Sequence, residues 1–403
     1  MRVAEDGRYH LTYCLNVHPG ISWPEVLENI KQHVIPLKQR FSPDQPFGVG
    51  LRLAGEASSE LLQGERLAAF RRFLDEHGLY VFTMNGFPYG PFHGTTVKAA
   101  VHSPDWRDDE RAAYTLRLIQ ILADLLPEGI DGGISTNPFG YKPFIDTSDR
   151  TTWQLFVERM VLMAERLVRV RESDGKLIHL DLEPEPDGVL GDCADLIAFY
   201  EEWLLPLGVP LLSERLGIPV EDARERMLEH IRVCFDTCHV AVGYEDPRTV
   251  LDRFEQLGIK VGKIQVSSAI KLTLDADPAA RAGQAEALRV FDEPVYLHQV
   301  IQRNADGSLT RYADLPEALP LIADPEGEEW RVHFHVPIFV ERFENFDSTQ
   351  ETIRKTFDVL KERQFTDHLE IETYTWDVLP AALKQDIQTS IGREFEWVLD
   401  AIR

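Results

Sequence analysis

VCFDTCHVAV, residues 233–242, decides the fold. Val233 and Phe235 alternate with Cys234 and Asp236, which is the period of a strand. One face is apolar. The other ends on a carboxylate, and His239 follows just past the strand end.

The pattern recurs in IHLDLEP (178–184), VGKIQVSS (261–268) and HLEIETY (368–374). Leu180 and Leu182 oppose His179, Asp181 and Glu183. Ile264 and Val266 oppose Lys263, Gln265 and Ser267. Leu369 and Ile371 oppose His368, Glu370 and Glu372. In a closed sheet wrapped by helices the apolar face packs outward on the helices, and the polar sets converge on the axis.

Four earlier runs read as strands: LTYCLNV (11–17), FGVGLRL (47–53), YVFTMNGF (80–87) and GGISTNPF (132–139). Helical patterns lie between them. Ser22 and Glu25 form a capping box with Pro24 in the first turn, and Gly78 ends a helical run as a C′ residue. WQLFVERMVLMAERLVRVRE, STQETIRKTFDVLKERQ and AALKQDIQTSIGREFEWVLDAI also read as helices. Eight strands alternating with helices predict an α/β chain folded as a (β/α)8 TIM barrel. An open doubly wound sheet is the alternative, but no G-x-G-x-x-G turn follows the first strand.

The chain has 403 residues, 44% of them hydrophobic, enough for one decorated barrel domain over 1–403. Residues 270–340 are too long for one βα unit. They hold a helical piece, PAARAGQAEALRVF, a hairpin turning at Asp306-Gly307, and an extra strand in RVHFHVPIF. This reads as an insertion after strand seven, over the C-terminal face.

A net charge of -25 repels phosphate backbones, so no nucleic acid partner is expected. MRVAEDGRYH lacks the apolar region of a secretory signal, and no stretch reads as an uninterrupted apolar membrane span. Cys14, Cys193, Cys234 and Cys238 form no C-x-x-C pair and read as free thiols. A cytoplasmic setting is expected.

Parity also selects candidate site residues. The last inward members of strands five to eight are Glu183, Asp236, Gln265 and Glu372, near the C-terminal mouth. Strand one offers Asn16 and His18, strand two Arg52 and strand three Asn85. Crowded carboxylates are costly without a counter-charge, and a divalent cation supplies one. Oxygen donors suit Mg or Mn, and a histidine brings in Zn or Co. The alternative is an ion network with Arg52, Lys263 and Arg331; of these, Lys263 points inward by parity. The loops NGFPYGPFHG (85–94) and NPFGYKP (137–143) place Phe87, Tyr89, Phe92 and Phe139 where they could wall a pocket.

LEPEP, DTCH and IET, in that order on strands five, six and eight, resemble the xylose isomerase-like TIM barrels. More narrowly, LTYCLNVHPG, FDTCHVAVGYEDP, KIQVSSAIK and HFHVPIF resemble the metabolite traffic protein EboE family. The resemblance implies metal ligands at Glu183, Asp236 and Glu372. It implies a strand-seven histidine where Gln265 stands, so an amide oxygen or a histidine of HFHVPIF must complete the set. His335 is the candidate ligand, His333 a candidate substrate contact, and His239 resembles a position that contacts substrate or metal.

The activity implied is a metal-dependent sugar, sugar-phosphate or cyclitol-like isomerase or epimerase, with Glu183 and Glu372 moving the proton beside a polarised carbonyl. The partners implied are then a small metabolite, a sugar or polyol, and enzymes of the same operon. Two other readings stand beside it. One is binding and handover of a metabolite without chemistry. The other is phosphoester hydrolysis, ranked last because the interior histidines read as too few.

Overall fold

The computed structural model describes the chain apart from residues 5–6, 95, 278, 344–345 and 381–383. The barrel strands are β1 (Tyr9–Tyr13), β2 (Phe47–Arg52), β3 (Leu79–Asn85), β4 (Gly132–Thr136), β5 (Ile178–Leu182), β6 (Ile231–Asp236), β7 (Val261–Val266) and β8 (His368–Ile371). They pair in parallel in the order β1-β8-β7-β6-β5-β4-β3-β2. With helices between successive strands, this is an α/β TIM barrel.

The seam between β1 and β2 lacks a continuous ladder and is closed by other means. Cys14 and Gly50 form a parallel bridge. The Thr12 hydroxyl donates to the Gly48 carbonyl at 2.8 Å and accepts from the Gly50 amide at 3.0 Å. A Cβ at Gly50 would collide with the Glu370 carboxylate and the Tyr13 carbonyl, so only glycine lets the strands approach here.

Local signals in the sequence explain several helix ends. Helix Trp23–Asn29 opens on the Ser22/Glu25 capping box, and helix Arg66–His77 ends at Gly78 with φ 63°. Helix Arg150–Asp174 starts behind Asp149, which accepts from the Thr151 amide. The last helix runs Ile387–Ala401 behind the Asp386 cap; the earlier start expected at 381–383 lies outside the described residues. The helical run Cys193–Leu216 has the length and mean apolarity of a membrane span, although Asp195, Glu201 and Glu202 interrupt it. Leu196, Phe199, Tyr200, Leu204 and Leu212 from it are buried in the core, which accounts for its composition.

Between β7 and β8 a second, antiparallel sheet forms from Ile270–Thr273, Val300–Asn304, Leu309–Tyr312, Gly327–Val332, Arg342–Phe343 and Phe346–Ser348. It thus extends past residue 340. A helix, Arg281–Leu288, lies within it. RVHFHVPIF is not a strand throughout: pairing stops at Val332, and His333 to Ile338 run as irregular chain.

Inside the barrel, Lys263 pairs with Glu370, both side chains fully buried, and also donates to the Thr83 hydroxyl at 3.3 Å. Burial alone would lower the Lys263 pKa, but Glu370 outweighs it and the net shift is upward.

Candidate metal centre

Asp236 ends β6 and caps helix Thr237–Val242. Its Oδ1 accepts from the Cys238 amide at 2.8 Å, the His239 amide at 3.0 Å and the Ser267 hydroxyl at 2.7 Å. That oxygen is fully used. Its Oδ2 is buried and has no partner. The D-x-x-H spacing thus makes one residue both helix cap and free donor.

Glu183 and Glu372 follow β5 and β8 directly. Glu372 accepts from Asn16 Nδ2 at 2.7 Å, from Asn85 Nδ2 at 3.1 Å, and from Gln265 Nε2. Gln265 Nε2 also reaches Glu183 Oε1 at 3.3 Å, while Glu183 Oε2 is buried without a partner. His335 donates through Nδ1 to the Glu372 carbonyl at 2.7 Å, which leaves its Nε2 lone pair free, buried and unpartnered. Donor atoms of Glu183, Asp236 and Glu372 lie within 4.8 Å of one another, as do those of Asp236, His239 and His335.

This arrangement fits a divalent cation. Buried Glu183 Oε2, Asp236 Oδ2 and His335 Nε2 are all left without hydrogen bonds. Without a cation such atoms would each cost on the order of 1–3 kcal/mol, more where charged. Electrostatics agree. Burial, then Glu372 and Asp236, raise Glu183 well above the carboxylate range. Burial, then Asp236 and Glu370, raise Glu372 to about 8. Burial would raise Asp236 too, but His239, His335 and the Ser267 hydrogen bond bring it below its ordinary value. Burial, only partly offset by Asp236, lowers His335 to about 4, the neutral form a metal requires.

Gln265 differs from its expected role. Its nitrogen faces the glutamates, and its oxygen accepts from Cys234 Sγ at 2.7 Å. It neutralises the carboxylates instead of offering an oxygen to the ion.

Beside this cluster opens a small pocket of about 60 Å³. Phe87, Phe92, Tyr296 and Tyr374 give it apolar and aromatic walls, and Glu185, His102, His239, Gln299 and His333 add polar groups. His239 Nδ1 donates to the Pro184 carbonyl at 3.0 Å. Gln299 Nε2 donates to the Pro186 carbonyl at 3.2 Å, so its Oε1 accepts from His333 Nδ1 at 2.8 Å. Glu185 Oε1 is 2.9 Å from His102 Nε2, and Glu185, His239 and His333 form a second donor triple.

Several residues outside the metal cluster do other work. Arg52 donates to the carbonyls of Gly20, Pro88 and Gly90, bracing the mouth loops. His18 is turned away because β1 ends at Tyr13 and gives way to a 3-10 turn; it meets the Tyr13 hydroxyl at 3.0 Å and stacks on His33. Phe139 is fully buried and stacks on Phe156 behind the barrel wall. Lys263 sits one layer below the mouth, committed to Glu370. Arg331, held by Glu329 and the Ala241 carbonyl, stacks on Tyr244, while Lys142 pairs with Asp195.

His102 and Glu185 were missed. Glu185 continues the parity of Glu183 within LEPEP and was within reach. His102 lies in a short 3-10 turn, Lys98–His102, where periodicity carries no signal. The two additions also correct the argument that interior histidines are few: His102, His239, His333 and His335 all gather at the mouth. All four cysteines are free and buried.

No protein-family model matches the chain, and no curated protein matches it. Solved structures similar to it include the IolI protein with a bound zinc atom, at 12% identity and TM-score 0.47, covering 98% of both chains. Another is the probable 3-DHS dehydratase AsbF involved in petrobactin synthesis from Bacillus anthracis, at 12% identity and TM-score 0.44, covering 97% of this chain and 98% of that one. A third is a xylose isomerase domain protein from Planctomyces limnophilus, at 13% identity and TM-score 0.43, covering 87% of each.

Proposed function

We propose that the protein is a divalent-metal-dependent isomerase or epimerase acting on a neutral, hydroxylated metabolite of the sugar or cyclitol type. The observation that carries this is the convergence of unpartnered Glu183 Oε2, Asp236 Oδ2 and His335 Nε2 beside a pocket at the barrel mouth. Glu183, Asp236, Glu372 and His335 would hold the ion, which supplies polarisation of a substrate carbonyl when bound.

The chain's own groups do the rest. Glu183 and Glu372 sit on neighbouring sides of the site and can take and return a proton at adjacent carbons. His239, His333 and Glu185 offer acceptors for substrate hydroxyls, and the aromatic walls exclude water. The pocket's one lysine, Lys98, is already paired with Asp314, so no free cation among the described lining residues is set to clamp a phosphate. This favours the unphosphorylated substrates of the class.

The test is solvent exchange. Metal-loaded protein is incubated with ketoses, aldoses and inososes in D2O, and deuterium at carbon is read by NMR. Incorporation in wild type that Glu183→Gln abolishes, with the fold intact, supports the reading. A ligand that binds but never exchanges refutes it.

The second reading, handover without turnover, draws on Gln265, whose amide occupies both glutamates. The EboE-like motifs would place such a role in metabolite traffic beside partner enzymes.

A further inference from the structure

A second cluster of metal-ligating side chains lies at the other end of the barrel. His179 is the second residue of β5 and His368 the first of β8; Asp131 immediately precedes β4. These are strand starts, whereas Glu183 and Glu372 follow the ends of the same two strands. Four residues at roughly 3.3 Å each separate the clusters by about 13 Å along the strands.

We infer that Asp131, His179 and His368 form a second divalent-metal site, suited to zinc or a similar late first-row ion, which ties β5 and β8 to the turn before β4. One donor atom from each lies within 4.8 Å of the others. Asp131 Oδ1 is 3.2 Å from His368 Nε2, and Asp131 Oδ2 is 3.6 Å from His179 Nε2. Two imidazoles and a carboxylate are a nitrogen-rich set that prefers zinc to magnesium.

The hydrogen bonds prepare the site for an ion. Asp181 Oδ1 accepts from His179 Nδ1 at 2.6 Å, which fixes the proton there and turns the Nε2 lone pair toward Asp131 and His368. A carboxylate behind a ligating histidine is the usual support of a metal-bound imidazole. His179 Nε2 and both nitrogens of His368 are buried without a well-aligned hydrogen bond, and the two Nε2 atoms converge on the Asp131 carboxylate, the arrangement an ion between them would take. Arg232 donates to Asp131 Oδ2 at 3.0 Å and steadies the carboxylate.

Space and access also fit. A Cβ at Gly133 would strike His179 and Asp181, so glycine there is what admits both side chains to the interior. The histidines are buried, while the Asp131 side chain is 26% exposed. Water can therefore reach the fourth position of a tetrahedral ion.

The test titrates chelator-stripped full-length protein with Zn2+ alone against a competing chromogenic chelator. In an Asp236→Ala/Glu183→Gln background, which disables the mouth cluster, we expect about one equivalent of Zn2+ to remain bound. Asp131→Asn added to it should weaken binding at least tenfold, and Asp181→Asn about 10- to 100-fold. No zinc in that background, or zinc indifferent to both substitutions, overturns the inference. If the background variant does not fold, Asp131→Asn in the otherwise native chain should lower zinc stoichiometry by one, and unchanged stoichiometry overturns it. Failure of the mouth reading is distinct: Asp236→Ala alone would then leave stoichiometry unchanged.

Discussion

His239 and His333 face each other through Nε2 atoms 3.1 Å apart, and each ring already spends its Nδ1 proton elsewhere, on Pro184 and Gln299. With both rings neutral, two lone pairs meet in one small space beside Glu185; a second proton on either ring makes the contact a hydrogen bond. Burial, then the neighbouring His239 and His335, push the His333 pKa well down, so protonating it does not relieve the clash near neutrality. A donor from outside the chain does, and a substrate hydroxyl is the simplest one.

His333→Ala should therefore weaken the ligand more than the chemistry. We expect KM to rise about tenfold, or roughly 1.4 kcal/mol of binding, with kcat changed by only a few-fold. Steady-state kinetics on the substrate found by D2O exchange decides this. A fall in kcat at unchanged KM would instead put His333 in the proton-transfer step.

Metal affinity at the mouth should climb with pH. Glu372 titrates at about 8 and Glu183 well above its usual range without an ion, so binding displaces protons. Each proton released makes affinity rise by up to about tenfold per pH unit until the carboxyls ionise by themselves. Competition titrations at pH 6.5, 7.5 and 8.5 measure this slope. A flat profile would mean that the carboxyls are ionised before the metal arrives.

The Lys263–Glu370 pair should behave as a buried ion pair. Glu370→Gln or Lys263→Met alone leaves one charge stranded and should cost about 3–5 kcal/mol. The double variant should recover most of that. Urea denaturation of the four proteins gives the cycle; additive losses would show that the two charges do not depend on each other.

Glu394 gives stability a pH slope. It is buried, accepts from the Thr373 hydroxyl at 2.6 Å and the Ile338 amide at 3.3 Å, and is raised by burial to about 8 against an ordinary value of 4.5. The folded protein holds this proton more tightly than the unfolded chain. Its contribution is therefore complete below about pH 4.5 and declines as pH rises to about 8, by a few kcal/mol. Glu394→Gln should remove that decline, so the variant gains on wild type between pH 5 and pH 8. Equal slopes in urea unfolding would refute the assignment.

Much of the barrel was legible because strand parity carries both the packing face and the interior face at once. That is how Glu183, Asp236 and Glu372 could be placed at the mouth from IHLDLEP, VCFDTCH and HLEIETY. Parity fails where strands stop. β1 ends at Tyr13, so Asn16 reaches Glu372 from a turn while His18 swings away. It also fails to say what a charged residue is used for. Arg52 points as expected of its strand but is consumed by three loop carbonyls. Phe139, in a loop with φ 70°, goes to the helix layer and not to the pocket. His179 and His368 were visible on the interior face, but at the strand starts, where a mouth-centred search does not look.

The seam between β1 and β8 has a consequence for synthesis. The ribosome makes β1 before, and its neighbour β8 after, the other six strands of the ring. Glu183, Asp236, His335 and Glu372 emerge in that order, with four strands of the second sheet between the second and third and its last two between the third and fourth. At about 5–20 residues per second the nascent chain carries exposed, half-assembled acidic clusters for roughly ten seconds or more. The donor set cannot come together until Glu372 has been made, so a product truncated before it carries no complete mouth centre to capture metal from the cell.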